Sequence, residues 1–150
     1  MENRYYPQYF EIYELIPREV FRLEDMRNKD KHMQPGWSYL DERLLITIDA
    51  IREIIGKPLI CNTWFQDGNR ENCGYRTSGC TIGALKSQHK LGRAVDLICP
   101  YMSAEEMRQK IKKDEDKLPF PIRIEDGVSW LHVDVKEMDY KGKKIYFFKA

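Results

Sequence analysis

A long amphipathic pattern that ends in a helix stop dominates the first half of the chain. Over residues 40–55, apolar side chains recur at spacings of three and four, which places them on one face of a helix. Gly56 then favours a helix C-terminus, and Pro58 prevents the helix from continuing. The sequence therefore predicts a helix whose apolar face must be covered by other elements.

The remaining apolar patterns predict short strands and two further helices. Ser103 precedes acidic residues and a helical pattern, which is typical of an N-cap. Helices come early and strands late, and this order favours an α+β domain with a small, mostly antiparallel sheet and helices packed on one side. Strands are predicted over residues 59–65, 94–98, 122–125, 130–135 and 144–148, and helices over 18–27 and from 103 to about 113.

Length and composition indicate one folded domain. The chain has 150 residues, a common size for a single domain, and 42% of them are hydrophobic, which is enough to form a core. We interpret residues 1–150 as one domain, with residues 1–39 as an N-terminal extension and residues 40–150 as the core. Residues 66–84 are rich in glycine and are predicted to form a long loop, which in a compact domain is usually functional.

Charge and hydropathy exclude several classes of partner. The 25 basic and 24 acidic residues leave a net charge of +1, which argues against a general nucleic-acid role. No apolar run approaches the roughly 18–20 residues that a membrane span requires. The first residues also lack the apolar stretch of a secretory signal, so we expect a soluble protein made in the cytoplasm, and extracellular work would need a separate exit route.

The four cysteines, Cys61, Cys73, Cys80 and Cys99, do not form a Cys-x-x-Cys motif. An intracellular chain of this size folds without disulfides, so free thiols are expected. The alternatives are a Cys73–Cys80 bridge and a structural metal site.

Two histidines have a carboxylate nearby in the sequence. Gly92 lies between His89 and Asp96, and a tight bend at this glycine would bring the two side chains together. Two turns of helix would also align them, but an unbroken strand would not, because residues seven apart point to opposite faces. His132 and Asp134 alternate with the apolar residues of a predicted strand, so they share its non-core face.

Two imidazoles and one carboxylate form a donor set typical of catalytic zinc. Zinc binds four ligands, so three protein ligands leave one position for a water molecule, whose pKa falls to about 7. The residues alone leave an alternative open, since a histidine beside an aspartate is more often a hydrogen-bonded surface pair. His89, Asp96 and His132 are the candidate ligands.

Two motifs resemble those of the D-alanyl-D-alanine carboxypeptidases and endolysin peptidases of the Hedgehog/DD-peptidase fold. Residues 87–96 contain Ser-x-His-x-x-Gly-x-Ala-x-Asp, and residues 130–134 contain Trp-x-His-x-Asp. Upstream, residues 73–77 look like the family's Ser-Gly-Tyr-Arg-Ser segment. The resemblance covers residues 40–135, and it implies a cleft with zinc bound by His89, Asp96 and His132.

The resemblance also implies roles for residues around the metal. The arginine of the Tyr-Arg segment, here Arg76, would bind the substrate or stabilise charge on the reacting carbonyl. The motif serine, here Ser87, would lie near the substrate. Trp130 is a further candidate for the substrate-binding wall of the cleft, although an aromatic residue of this kind is more often part of a core.

The catalytic base is the point at which the chain departs from the family. Many relatives carry a glutamate three residues before the second histidine, and that position here is Ser129. Other members, including Hedgehog proteins and many phage enzymes, carry a glutamate further upstream, where this chain has Asp126 with Glu125 beside it. Asp126 is the closer positional match, and Glu125 is the chemical alternative because its side chain is longer. Asp134 is expected to orient an imidazole instead.

We therefore expect a zinc-dependent peptidase that hydrolyses peptide bonds of peptidoglycan stem peptides, as a D,D-carboxypeptidase or an endolysin-type endopeptidase. Asp126 or Glu125 would act as its base. We expect a monomer without nucleic-acid or membrane partners, and release to the cell wall would fit phage or prophage lysis. The alternative is a zinc-binding module of the same fold that binds cell-wall or protein partners without catalysis, as Hedgehog proteins bind theirs.

Overall fold

The computed structural model describes residues 3–150, and within that range the chain has an α+β fold, as predicted. Residues 1 and 2 of the expected N-terminal extension lie outside the described residues. The helices are α1 (Leu23–Arg27), α2 (Glu42–Ile55) and α3 (Ala104–Lys113), and the strands are β1 (Ala94–Leu97), β2 (Ile122–Glu125), β3 (Leu131–Asp134) and β4 (Ile145–Phe148).

The amphipathic pattern forms α2, and both of its ends are satisfied locally. The Asp41 carboxylate accepts a hydrogen bond from the Arg43 amide at the N-terminus, and Gly56 ends the helix at φ 72°. Burying each large aliphatic side chain of the apolar face contributes about 1.5–3 kcal/mol. The fully buried residues of this face are Leu44, Leu45, Ile48 and Ile51.

The four strands form one mixed sheet in the order β1-β3-β2-β4. β3 pairs antiparallel with both β1 and β2. β4 pairs with β2 in the parallel sense, so the prediction of a mostly antiparallel sheet holds only for the other two pairings. The reason is the connection after β3, which crosses to the free edge of β2 and enters β4 with Ile145 opposite Ile122.

The sheet separates a core side from a cleft side. On the core side, Ile122 and Ile124 of β2 and Leu131 and Val133 of β3 are completely buried and belong to the hydrophobic cluster that includes α2 and α3. Side chains alternate along a strand, so the intervening polar residues of β2 and β3 face the other way. That second face carries the candidate site.

The segment before α2 packs into the same core. Its apolar residues belong to one cluster with α2 and the sheet, so residues described above as an extension contribute directly to the centre of the domain. The residues concerned, all almost completely buried, are Phe10, Ile12, Leu15, Ile16 and Trp37.

The helix predicted over residues 18–27 is divided into two pieces. A 3-10 turn covers Arg18–Val20, and α1 begins only at Leu23, because Phe21 and Arg22 have extended backbone conformations between them.

The strand predicted over residues 59–65 does not form, and this prediction was wrong. Ile60 makes only an isolated bridge with Ile98, and a 3-10 turn covers Trp64–Gln66. The backbone of this segment bonds to loops instead of to a strand, as where the Asn62 amide donates to the Glu14 carbonyl at 2.9 Å. A pattern of β-branched and aromatic residues cannot reveal such distant loop partners.

The long loop is confirmed, since residues 67–84 contain neither a helix nor a strand. All four cysteines are free thiols, so the Cys73–Cys80 bridge is not found. Over residues 3–150, every helix is too short or too polar to cross a lipid bilayer.

Candidate metal centre

A glycine bend brings His89 and Asp96 together. His89 lies on a 3-10 turn, Gln88–Leu91, whose N-terminus is capped by the Ser87 hydroxyl accepting from the His89 amide at 3.2 Å. Gly92 follows at φ 68°, and a Cβ atom there would lie 2.0 Å from the Tyr39 carbonyl oxygen. Only glycine fits both restraints. Of the two local structures compatible with the sequence, the bend is the one that forms.

Strand pairing brings His132 to the same point. In the antiparallel register of β1 and β3, Asp96 is directly opposite His132. His132 Nδ1 lies 2.9 Å from Asp96 Oδ1, and His89 Nε2 lies 3.4 Å from Asp96 Oδ2. One candidate ligand atom from each of the three residues lies within 4.8 Å of the other two, so a single cation can contact all three.

The other nitrogen of each imidazole is held by an acceptor. His89 Nδ1 donates to the Gly74 carbonyl oxygen at 2.8 Å, and His132 Nε2 donates to Asp134 Oδ2 at 2.8 Å. Because each acceptor requires a proton on the nitrogen that it contacts, His89 Nε2 and His132 Nδ1 are the nitrogens available to a metal ion. Asp134 thus occupies the orienting position expected from the sequence.

Burial and hydrogen bonding shift the protonation of the central residues. Burial by itself would lower the pKa of His132, but hydrogen bonds to Asp134 and Asp96 raise it to about 9. Burial would raise the pKa of Asp96, yet its hydrogen bonds with His132 and His89 hold that pKa well below the usual range. A cation bound between the three residues would displace the Nδ1 proton of His132 and would put positive charge beside the Asp96 carboxylate in its place.

The three candidate ligands open into a cleft of about 390 Å³. Arg76, Ser87 and Trp130 all line it, so the residues expected to bind substrate lie in the same cleft as the three candidate ligands. Arg76 is 8% exposed, and its guanidinium donates to the Asn72 carbonyl at 2.7 Å and to Asp96 Oδ2 at 3.3 Å. The positively charged guanidinium group of Arg76 is therefore held in place beside the candidate ligands.

The two candidate bases, Glu125 and Asp126, have different surroundings. Glu125 is 9% exposed and lines the cleft, and over residues 3–150 its carboxylate has no hydrogen-bond or ion-pair partner. Asp126 does not line the cleft, and its carboxylate lies 3.9 Å from Nε of Arg108, a residue of α3. Strand alternation explains the difference, since Ile124 faces the core and Glu125 must face the opposite side. Of the two candidate bases, only Glu125 lines the cleft.

Sequence reasoning missed several residues of the cleft, among them Arg123 and Phe148. Arg123 forms a double ion pair with Asp134, and its guanidinium carbon lies 4.0 Å from the centre of the Phe148 ring. Arg123 shares a strand face with Glu125, so alternation along β2 was a usable signal. Phe148 belongs to β4, and its place beside β2 could not be read from local pattern.

Comparisons with known protein families, sequences and structures identify no relative of this chain. A scan against protein-family models finds no match to this chain, and searches of curated proteins and of solved structures find none either. The interpretation of the site therefore depends on its motifs and its geometry.

Proposed function

We propose that the protein is a zinc-dependent peptidase that hydrolyses peptide bonds of peptidoglycan stem peptides, and that it belongs to the Hedgehog/DD-peptidase family that its motifs resemble. The supporting observation is the convergence of His89, Asp96 and His132 in a cleft that also contains the unpaired Glu125 carboxylate. Hydrolysis of an amide requires an electrophile for the carbonyl and a base for water, and the proposal assigns these roles to a zinc ion held by the three ligands and to Glu125.

The residues present fit a zinc ion. Nε2 of His89, a carboxylate oxygen of Asp96 and Nδ1 of His132 would hold it, a set of nitrogen and oxygen donors that zinc accepts. The Gly74 and Asp134 acceptors already fix both rings in the tautomers that this requires. Bound zinc would supply Lewis-acid polarisation of the scissile carbonyl and activation of water.

Glu125 is the proposed general base. Among the residues that the structure describes, none forms an ion pair with its carboxylate, and Glu125 lines the same cleft as the donor set. It would take a proton from the attacking water and then deliver this proton to the nitrogen of the leaving amine. A base in this role typically contributes about 10²–10⁴-fold to the rate.

Arg76, Trp130 and Ser87 are proposed to position the substrate. The Asn72 carbonyl anchors the Arg76 guanidinium, so its charge is in place before the substrate binds and can stabilise an oxyanion or a substrate carboxylate. Trp130 is 37% exposed at the cleft and would contact the apolar part of a stem peptide. Ser87 both caps the turn that carries His89 and lines the cleft.

Digestion of purified peptidoglycan, followed by mass spectrometry of the released fragments, tests activity and identifies the bond. Protein loaded with one equivalent of zinc should release D-alanine or stem-peptide fragments, and protein treated with a chelator should release none. Because the substrate is the cell wall, the proposal includes release of the protein to the wall, as in phage or prophage lysis.

A matched pair of variants tests the base. Glu125→Gln should reduce the rate by about 10²–10⁴-fold, because the amide cannot accept the proton. Asp126→Asn removes the neighbouring carboxylate beside Arg108 and should keep most of the activity. Equal losses in the two variants would contradict the assignment of Glu125.

The second candidate is a zinc-binding module without catalysis. It is favoured by Ser129, which stands where many relatives carry their glutamate, and which is exposed and outside the cleft lining. Stoichiometric zinc binding without fragment release from any stem peptide would support this module and contradict the peptidase.

A further inference from the structure

Asp134 is the most thoroughly bonded carboxylate of the cleft face. Its side chain is completely buried, and each oxygen accepts more than one hydrogen bond. Oδ1 accepts from Arg123 Nε at 2.9 Å and from the Lys136 amide at 3.2 Å. Oδ2 accepts from Arg123 Nη2 at 2.8 Å and from His132 Nε2 at 2.8 Å. The plane of this carboxylate is therefore fixed.

Arg123 supplies two of these hydrogen bonds in a fork geometry. It lies on β2 directly opposite Asp134 on β3, so strand register aligns the two side chains. Paired bonds from a planar guanidinium to a carboxylate fix orientation as well as distance, which a single donor does not do. The Phe148 ring lies 4.0 Å from the guanidinium carbon and limits its movement.

We propose that Arg123 is a positioning residue for the metal centre, which acts through Asp134 to hold the His132 ring in its ligating orientation and so sets the affinity for zinc. The chain of contacts runs from Arg123 to Asp134 to His132, and Arg123 itself has no hydrogen bond or ion pair with any of the three candidate ligands. The inference rests on the metal centre of the proposed function, but it does not require peptidase activity.

The size of the effect follows from comparable metal sites. Loss of a partner that orients a ligating histidine typically costs about 10–100-fold in metal affinity. In Arg123→Met the carboxylate keeps the Lys136 amide and His132 but loses the fork that fixes its plane. We expect the dissociation constant for zinc to rise by about 10–100-fold. Arg123→Lys keeps the charge with a single donor and should show a smaller increase.

A general loss of stability is the competing explanation, and Arg108→Met is the matched control for it. Arg108 is a buried arginine that, like the partly buried Arg123, bonds to the β2–β3 region, where it donates to the Val128 carbonyl at 3.1 Å and to the Trp130 carbonyl at 3.2 Å. It belongs to α3, on the core side of the sheet, and has no hydrogen bond or ion pair with Asp134. Its loss should lower stability and leave the zinc dissociation constant within about threefold of the original, well below the range expected at position 123.

A double-mutant cycle tests whether Arg123 acts through Asp134. Zinc dissociation constants would be measured by competition with a chromogenic chelator for the original protein, Arg123→Met, Asp134→Ala and the double variant. Because Arg123 acts only through this carboxylate, Arg123→Met should change affinity by less than about threefold once Asp134 is absent. The absorption spectrum of bound cobalt(II) gives a second readout of ligand geometry, and it should change in Arg123→Lys even if Arg123→Met fails to fold.

The outcomes separate this inference from the proposed function. If the original protein binds no zinc, the metal centre fails and this inference fails with it. If the original protein binds zinc and both Arg123 variants match it in affinity and cobalt spectrum, only the role of Arg123 is overturned. An equal effect of Arg123→Met with and without Asp134 would also overturn it.

Discussion

The two faces of the β2–β3 pair belong to the same strands but are held by different forces. On the core face, Ile124 and Leu131 are stabilised by apolar burial, which has no preferred direction. On the cleft face, Arg123, His132 and Asp134 are joined by hydrogen bonds of 2.8 to 2.9 Å that require particular atoms at particular angles.

We therefore expect substitutions on the core face to affect mainly stability, and substitutions on the cleft face to affect mainly the proposed metal binding. A core residue can be replaced by another apolar residue of similar volume at a modest cost. A cleft residue cannot, because removal of one partner leaves another buried polar group unsatisfied. Variants of adjacent residues on one strand should therefore have different consequences.

The largest expected effect on the cleft face is that of His132→Ala. It removes one of three candidate ligands, so the purified protein should retain no stoichiometric zinc after desalting, as measured by elemental analysis, and should release no stem-peptide fragments. His32→Ala is the control, because His32 is exposed and lies away from the cleft. Within residues 3–150, the aromatic ring that its imidazole contacts is that of Tyr6, at 5.6 Å between centroids. If His132→Ala retained one full equivalent of zinc, the cleft face would not be the face that binds the metal ion, and the comparison of the two faces would fail.

The neighbouring residue on the core face should show the opposite behaviour. Leu131→Ala leaves a cavity in the core, and the free energy of unfolding should fall by about 2–5 kcal/mol, measured by urea denaturation in the presence of a chelator. At a temperature where the variant stays folded, its zinc affinity should match that of the original protein. A large loss of affinity in the folded variant would show that the faces are coupled.

A smaller effect is expected at Asp41, which lies on neither face. Burial would raise the pKa of Asp41, but hydrogen bonds from Arg43 and Arg93 and the charge of Arg43 keep it below its ordinary value. A carboxyl group whose pKa is lower in the folded state stabilises the protein above its unfolded pKa of about 3.9, and this contribution is lost as the pH falls through the folded pKa.

Asp41→Asn should therefore lower the free energy of unfolding by about 0.5–1 kcal/mol at pH 7. The difference in the free energy of unfolding between Asp41→Asn and the original protein should shrink as the pH falls below about 4, because the Asp41 carboxyl group of the original protein is then protonated and uncharged, like the amide. Denaturation curves at several pH values measure the gap, and zinc affinity at pH 7 should stay unchanged. A gap that widens in acid would contradict the sign of the pKa shift.

The elements that were predicted well are those specified by neighbouring residues. The core periodicity of α2, the Ser103 cap of α3 and the bounds of β2 all follow from patterns within a few residues. The predictions that were wrong concern segments whose structure depends on residues far away in the sequence. Residues 59–65 have strand-like composition but find loops as hydrogen-bond partners. β4 forms where a strand was predicted, but its parallel pairing with β2 follows from a connection that crosses the sheet, and that pairing was not predicted.

The candidate site divides in the same way. His89, Asp96 and Gly92 could be related from the sequence because a glycine between two metal-binding residue types permits a bend, and the alternation in β3 placed His132 on the non-core face. The partners of these residues could not be predicted, among them the Gly74 carbonyl that fixes the His89 ring.

Sequence alone is enough to identify most segments that form helices and strands and to nominate the candidate metal ligands, because caps, periodicity and residue type act over a few positions. The placement of Glu125 rather than Asp126 in the cleft, and the contact between Arg123 and Asp134, follow only from the folded structure. These choices depend on which face of the sheet the helices cover and on the register of β2 against β3, and both are set by packing between segments far apart in the chain.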